Sequence, residues 1–169
     1  MQMDLLKYSN YDVVFQEIPG EVALAINITQ CPHHCDGCHS AVLAGDFGNY
    51  LRDDIGSILK QYGDYITCVL LMGGDQHMSD LVSVLRRIKR ETKLKTGVYS
   101  GSDDFGLFEP AFPYLDFLKI GPYKKELGGL TSSNTNQRFY RKENGVWVDR
   151  TQLFQRKGDQ SNDDYHEES

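Results

Sequence analysis

The sequence lacks long apolar runs, a secretory leader and an excess of basic residues. No segment approaches the about 20 consecutive apolar residues that a membrane-spanning helix needs, and residues 1–6 do not combine a basic start with an apolar run. Lys and Arg number 18 against 24 Asp and Glu, a net charge of −6, whereas binding to nucleic acid requires a basic face. We therefore expect a cytoplasmic protein that binds neither a membrane nor nucleic acid.

Cysteine is also scarce, and three of the four cysteines form one Cys-x-x-x-Cys-x-x-Cys motif, at Cys31, Cys35 and Cys38. Disulfides are not expected in a reducing compartment. Three thiolates from one short loop suit an iron–sulfur cluster, which normally takes four cysteines, so one iron is expected to keep an open coordination site. Cys68 stands alone, and we interpret it as a small core residue.

A structural zinc site is the alternative interpretation of this motif. A histidine would then supply the fourth ligand, and the candidates are His33, His34 and His39. Zinc sites usually combine two separated pairs of ligands, and no second pair follows here. The motif therefore favours the iron–sulfur cluster, and its open iron site indicates chemistry rather than electron storage.

The apolar pattern predicts strands that alternate with helices. The strands are expected at residues 22–28, 66–71, 96–100 and 116–120, and the helices at 50–61 and 79–92. This order indicates an α/β fold with a parallel sheet, although 169 residues are too few for an eight-unit barrel, which needs about 250. Asn144-Gly145 predicts a C-terminal hairpin between residues 137–142 and 146–150. We expect one domain at 1–156 and a disordered acidic tail at 157–169.

A second motif, Gly73-Gly74-Asp75, follows the second predicted strand. The carboxyl ends of parallel strands meet at one edge of a sheet, where ligands bind, so this motif should lie beside the cysteine loop. Two glycines let a ligand approach the backbone, and the Asp75 carboxylate could accept hydrogen bonds from an ammonium group. The simpler alternative is a tight turn with Asp75 near a helix start.

Together the two motifs resemble those of the radical S-adenosylmethionine superfamily. The resemblance implies one 4Fe–4S cluster per chain, and S-adenosylmethionine chelated at the open iron. Gly73, Gly74 and Asp75 would grip the amino group of the cofactor, and the backbone of Gly37, Cys38 and His39 would lie beside its adenine. Gly37 stands where many members have an aromatic residue before the third cysteine.

Residues 116–123, 127–130 and 134–138 resemble the C-terminal signature of anaerobic ribonucleoside-triphosphate reductase activating proteins. The implied fold is a shortened, open, partial parallel (β/α) barrel of the radical S-adenosylmethionine type, with a C-terminal hairpin and a polar tail. The implied activity is reductive cleavage of S-adenosylmethionine and formation of a glycyl radical on the large subunit of that reductase. The cluster and cofactor carry this chemistry, so no catalytic side chain is assigned.

The resemblance leaves other functions and partners open. The chain could activate another glycyl radical enzyme, such as pyruvate formate-lyase, or belong to deazaguanine synthesis; outside the superfamily, it could be a non-catalytic zinc-binding module. A flavodoxin or ferredoxin-type protein is the implied electron donor. A basic run at residues 86–95 could dock this acidic donor, although such a run is usually a solvated helix face.

Overall fold

A computed structural model describes residues 5–30 and 45–155, and in this part of the chain the protein is built on one open, mixed sheet of eight strands. The strands are β1 (Lys7–Val14), β2 (Ala23–Ile28), β3 (Asn49–Tyr50), β4 (Cys68–Met72), β5 (Lys95–Tyr99), β6 (Phe117–Ile120), β7 (Arg138–Glu143) and β8 (Val146–Asp149). Their spatial order is β3-β1-β2-β4-β5-β6-β7-β8.

The centre of the sheet is parallel and its two margins are antiparallel. β2, β4, β5 and β6 pair in parallel, in the order in which they occur along the chain. β1 pairs antiparallel with β2 and β3, and β7 pairs antiparallel with β6 and β8. Most residues of β2 and β4 are buried, which is typical of strands covered on both faces. The α/β class and the four central strands are therefore confirmed, but the expected parallel sheet is mixed.

One face of the sheet carries the helices. α1 (Leu51–Tyr62) and α2 (Met78–Glu91) bury apolar residues at helical spacing. The third connection, between β5 and β6, is a 3₁₀ segment at Phe105–Tyr114, where Pro110 and Pro113 oppose a regular α-helix. Alternate strand residues pack with all three elements in one core, so the three connections lie on the same face.

A smaller apolar cluster covers the opposite face. It joins inward-facing residues of the central strands to residues of the loops and of the C-terminal turn; its members include Cys68, Leu70, Phe117, Phe139, Leu130 and Phe154. Cys68 is fully buried, which confirms its interpretation as a core residue. Burial raises the pKa of its thiol.

Two further outcomes concern the ends of the described chain. The sequence predicted that the first strand lies at 22–28. In the structure β1, with its polar and aromatic residues, precedes that strand and pairs with it at the margin of the sheet. The hairpin is confirmed: Asn144 (φ 54°) and Gly145 (φ 79°) both adopt the left-handed conformation of a type I′ turn. No helix among the described residues is long and apolar enough to cross a bilayer.

Candidate functional site

The cysteine segment lies between Gln30 and Gly45, at the carboxyl end of β2. Gln30 N donates to Gly45 O at 3.0 Å, so the two ends of the segment are held together. Thr29, which is fully buried, donates from Oγ1 to Phe47 O at 2.7 Å and from its backbone N to Lys7 O at 2.9 Å. Gln30 adopts φ 60°, so the chain turns sharply just before Cys31.

The Gly73-Gly74-Asp75 turn follows β4, the next strand of the sheet. Gly73 (φ 107°) and Gly74 (φ 116°) both occupy backbone conformations that favour glycine. At Gly74 a Cβ atom would also lie 3.2 Å from Leu81 Cδ1, whereas at Gly73 the nearest atom would be Ile28 Cβ at an ordinary 3.5 Å. Packing therefore explains Gly74, while the Gly73 backbone stands beside the last residue of β2.

Asp75 follows β4, and its side chain also contacts the residue that follows β5, the next parallel strand. Ser100, which directly follows β5, donates from Oγ to Asp75 Oδ1 at 2.9 Å, and its Oγ accepts from Ser102 N at 3.0 Å. Asp75 opens a 3₁₀ turn, Asp75–His77, that leads into α2. The carboxylate is thus positioned by a side chain from the neighbouring strand end, a contact that the sequence pattern did not predict.

Two side chains join the turn after β4 to the chain that leaves β2. Gln76 Nε2 donates to Thr29 O, and His77 Nε2 donates to Gln30 Oε1, each at 2.9 Å. Gln76 Oε1 is buried and has no hydrogen-bond partner among the described residues. Sequence reasoning missed Gln76 and His77; their only signal was that polar side chains directly follow the glycine motif.

The Asn-Gln element of the C-terminal signature supports the turn after β6. Gln137 Nε2 donates to Gly121 O at 3.2 Å, and Asn136 Nδ2 donates to Pro122 O at 3.0 Å. Gly121 has φ 112°, and a Cβ there would lie 3.0 Å from Gln137 Cα. This part of the signature therefore has a structural explanation: it fixes a tight turn at the same edge of the sheet.

Tyr99 and Lys119 form part of the sheet next to these turns. The Tyr99 hydroxyl donates to Glu17 O, its ring is buried, and burial holds its pKa well above the usual value. Lys119 Nζ lies 4.9 Å from the centroid of that ring. Tyr99 is therefore a core residue.

The predicted metal ligands Cys31, Cys35 and Cys38 lie outside the described residues, together with Gly37, His39 and the alternative zinc ligands His33 and His34. Within residues 5–30 and 45–155, no three His, Cys, Asp or Glu side chains are grouped so that they could hold a metal ion. The described part therefore contributes the base of the cysteine segment and the whole of the second motif.

Three side chains of the basic run at residues 86–95 are engaged in ion pairs. Arg87 pairs with Glu91 at 3.3 Å, Lys95 pairs with Glu21 at 3.2 Å, and Lys89 pairs with Asp116. Arg86 and Arg90 are exposed and, with Arg52 of α1, line a shallow cleft of about 190 Å³. The run is thus partly a structural feature.

The protein thus has an α/β fold, and its candidate site is built from turns at the carboxyl ends of parallel strands. No protein-family model, curated protein or solved structure matches the chain.

Proposed function

We propose that this protein is a radical S-adenosylmethionine activase that generates the glycyl radical of an anaerobic ribonucleoside-triphosphate reductase. One observation carries the proposal: the cysteine segment leaves the carboxyl end of β2, and the Gly73-Gly74-Asp75 turn leaves the carboxyl end of β4, its parallel neighbour. A cofactor that must reach both a metal and a polar turn needs these two motifs side by side.

The residues present fit such a cofactor. Three thiolates without a fourth cysteine nearby suit a cubane cluster with one open iron. The Asp75 carboxylate can face an ammonium group, and Gly73, whose positive φ favours glycine, adds no side chain to this turn.

In the proposed mechanism the chain binds and orients, and its side chains carry no proton transfer. Cys31, Cys35 and Cys38 would hold the cluster, while Asp75, positioned by Ser100, would fix the amino group of S-adenosylmethionine. When bound, the reduced cluster and S-adenosylmethionine would supply the radical chemistry that activates a glycine of the reductase. The turn at Asp75 would keep the cofactor aligned, since small displacements of reacting atoms are costly.

The proposed partner is the large subunit of the reductase, and a flavodoxin or ferredoxin-type protein is the proposed electron donor. Support for this partner comes from the signature at residues 116–123 and 134–138. Gly121, Asn136 and Gln137 of that signature build a turn at the same sheet edge as the two motifs. A protein substrate could therefore approach the site over this turn.

The experiment that tests this function compares two protein substrates. The reconstituted, dithionite-reduced protein is mixed anaerobically with S-adenosylmethionine and either the reductase large subunit or pyruvate formate-lyase, and the glycyl radical is measured by electron paramagnetic resonance. We expect the radical signal with the reductase and no signal with pyruvate formate-lyase. A signal with pyruvate formate-lyase alone would assign the activase to the other partner, and no signal with either protein would contradict the proposal.

A further inference from the structure

We propose that Gln76 and His77 are positioning residues that set the place of the metal-binding segment relative to the cofactor-binding turn. Their two hydrogen bonds, to Thr29 O and to the Gln30 side chain, are called the brace below. This inference rests on the proposed function, because it assigns the brace to the cluster and S-adenosylmethionine.

The brace replaces backbone pairing at the point where that pairing stops. The parallel pairing between β2 and β4 ends at Asn27 and Met72. Beyond that point the two segments bond to different neighbours: Thr29 N donates to Lys7 O of β1, and Gly73 N donates to Tyr99 O of β5. Without the brace, the two turns that carry the motifs would therefore be linked only indirectly, through the sheet.

Both acceptors of the brace lie immediately before the first predicted metal ligand. Thr29 and Gln30 are the last two residues before Cys31, and both donors follow directly after Asp75. Each bond measures 2.9 Å, a normal hydrogen-bond length. The brace thus spans from the end of one motif to the start of the other, and outer contacts of this kind orient the ligands of metal sites.

The conformation of Gln30 is an independent sign that this position is fixed. A residue with a side chain rarely adopts φ near +60°, and Gln30 does so with its backbone N bonded to Gly45 O and its side chain bonded to His77. Two hydrogen bonds, one from the backbone N of Gln30 and one to its side chain, therefore hold the turn just before Cys31.

The test uses the full chain and a matched control. Gln76→Met and His77→Ala each remove one bond of the brace, whereas His77→Gln keeps a side-chain amide donor. Gln155→Met is the control, because Gln155 Nε2 also donates to a backbone carbonyl, Ser132 O at 3.1 Å, in the C-terminal turn. After anaerobic reconstitution, iron and sulfide per chain, the affinity for S-adenosylmethionine and the change in the resonance spectrum of the reduced cluster on adding it are measured.

We expect each single loss to weaken the binding of S-adenosylmethionine about fivefold, with an altered spectrum. His77→Gln should stay near the wild type, and Gln155→Met should bind as the wild type does. Thermal unfolding of all variants checks that the fold is retained.

Three results would overturn the inference. Unchanged iron content, affinity and spectrum in both Gln76→Met and His77→Ala would show that the brace positions nothing, and His77→Gln as weak as His77→Ala would show that the donated bond is not what matters. If the wild type takes up zinc instead of a cluster, the proposed function fails, and the same variants then test the brace through zinc affinity. A wild type that takes up neither metal would contradict both.

Discussion

The two edges of the parallel sheet are built from different interactions. At the carboxyl edge, glycine turns and hydrogen bonds from side chains hold the ends of β2, β4 and β5. At the amino edge, charged pairs hold the strand starts: Asp116 accepts from Lys89 Nζ and from Thr96 N at 2.9 Å, and Lys95 pairs with Glu21. The first edge carries the two motifs, and the second holds the starts of the strands together.

This difference separates the residues of a sequence motif that are expected to serve binding from those that stabilise the fold. Asp116 opens the C-terminal signature and, read from the sequence, belongs with the other motifs. In the structure it precedes β6, at the edge opposite to Asp75 and Gly121. Changes to polar side chains at the carboxyl edge should therefore change cofactor binding at nearly constant stability, and changes to polar side chains at the amino edge should do the reverse.

The largest effect is expected for Asp116→Ala. The side chains of Asp116 and Lys89 are each only 29% exposed, so the change leaves a half-buried ammonium and the Thr96 N–H without their acceptor. We expect the free energy of unfolding to fall by about 2–4 kcal/mol, with unchanged affinity for S-adenosylmethionine at a temperature where the variant is folded. Urea unfolding measures the loss. In Glu91→Ala, which breaks an exposed pair, less than about 0.5 kcal/mol should be lost; equal losses would remove the distinction.

At the carboxyl edge, Asp75→Asn should act on the ligand instead. The amide keeps an oxygen that can accept from Ser100 but loses the charge, so affinity for S-adenosylmethionine should fall about 10- to 100-fold, at little change in stability. Equilibrium dialysis of the reconstituted protein measures this. Asp64→Asn is the matched control, since Asp64 lies in another short 3₁₀ turn, Gly63–Tyr65, before β4. A loss of affinity in Asp64→Asn of the same size would refute the assignment of Asp75.

A pair of glycine substitutions separates backbone strain from ligand binding. Gly73 (φ 107°) and Gly20 (φ 81°) both have positive φ, and an added Cβ would meet no atom closer than 3.5 Å at either position. Alanine should therefore cost about 1–2 kcal/mol of stability at each site. Only Gly73→Ala should also weaken binding of S-adenosylmethionine; if Gly20→Ala weakens it equally, the effect is one of stability alone.

The hairpin gives the amino edge a pH dependence. Glu143 accepts bidentate hydrogen bonds from Arg150 at 2.6 and 2.8 Å, and this partner, followed by Arg141, lowers the pKa of its carboxyl from 4.5 to about 2. A depressed pKa in the folded protein means that the stabilisation is present above pH 4.5 and is lost as the pH falls towards 2. Glu143→Gln should therefore flatten the decline in stability across this window in urea unfolding; parallel curves for wild type and variant would contradict the ion pair.

The smallest effect is expected for the double variant Arg86→Glu/Arg90→Glu. Arg86 lies about 12 Å along α2 from Met78, at 1.5 Å per residue, which exceeds the Debye length of about 8 Å at physiological ionic strength. Reduction by flavodoxin should change by less than about twofold, and reduction by dithionite should not change. A large drop with flavodoxin alone would make this face of α2 the docking surface of the donor.

The sequence predicted the centre of the fold because that centre depends on local patterns. Continuous apolar runs mark β2 and β4, apolar residues at helical spacing mark α1 and α2, and Asn144-Gly145 marks the hairpin turn. Gly73, Gly74 and Asp75 could likewise be placed at a strand end, since their position follows from the end of an apolar run.

The margins and the contacts of the site could not be predicted in this way. β1 mixes polar and aromatic residues in no regular alternation, and its pairing with β2 and β3 depends on residues far along the chain. The brace joins positions 47 residues apart, and the bond between Ser100 and Asp75 depends on the register of two strands. Such contacts become visible only when the chain is folded.

The most direct test of the central claim is the formation of 5′-deoxyadenosine by the reconstituted protein with dithionite and S-adenosylmethionine. The wild type and Cys68→Ala, which changes the buried cysteine outside the motif, should both form the product, and Cys35→Ala should form none. A wild type with a full cluster that forms no 5′-deoxyadenosine, even with the reductase present, would contradict the account, as would equal product from Cys35→Ala.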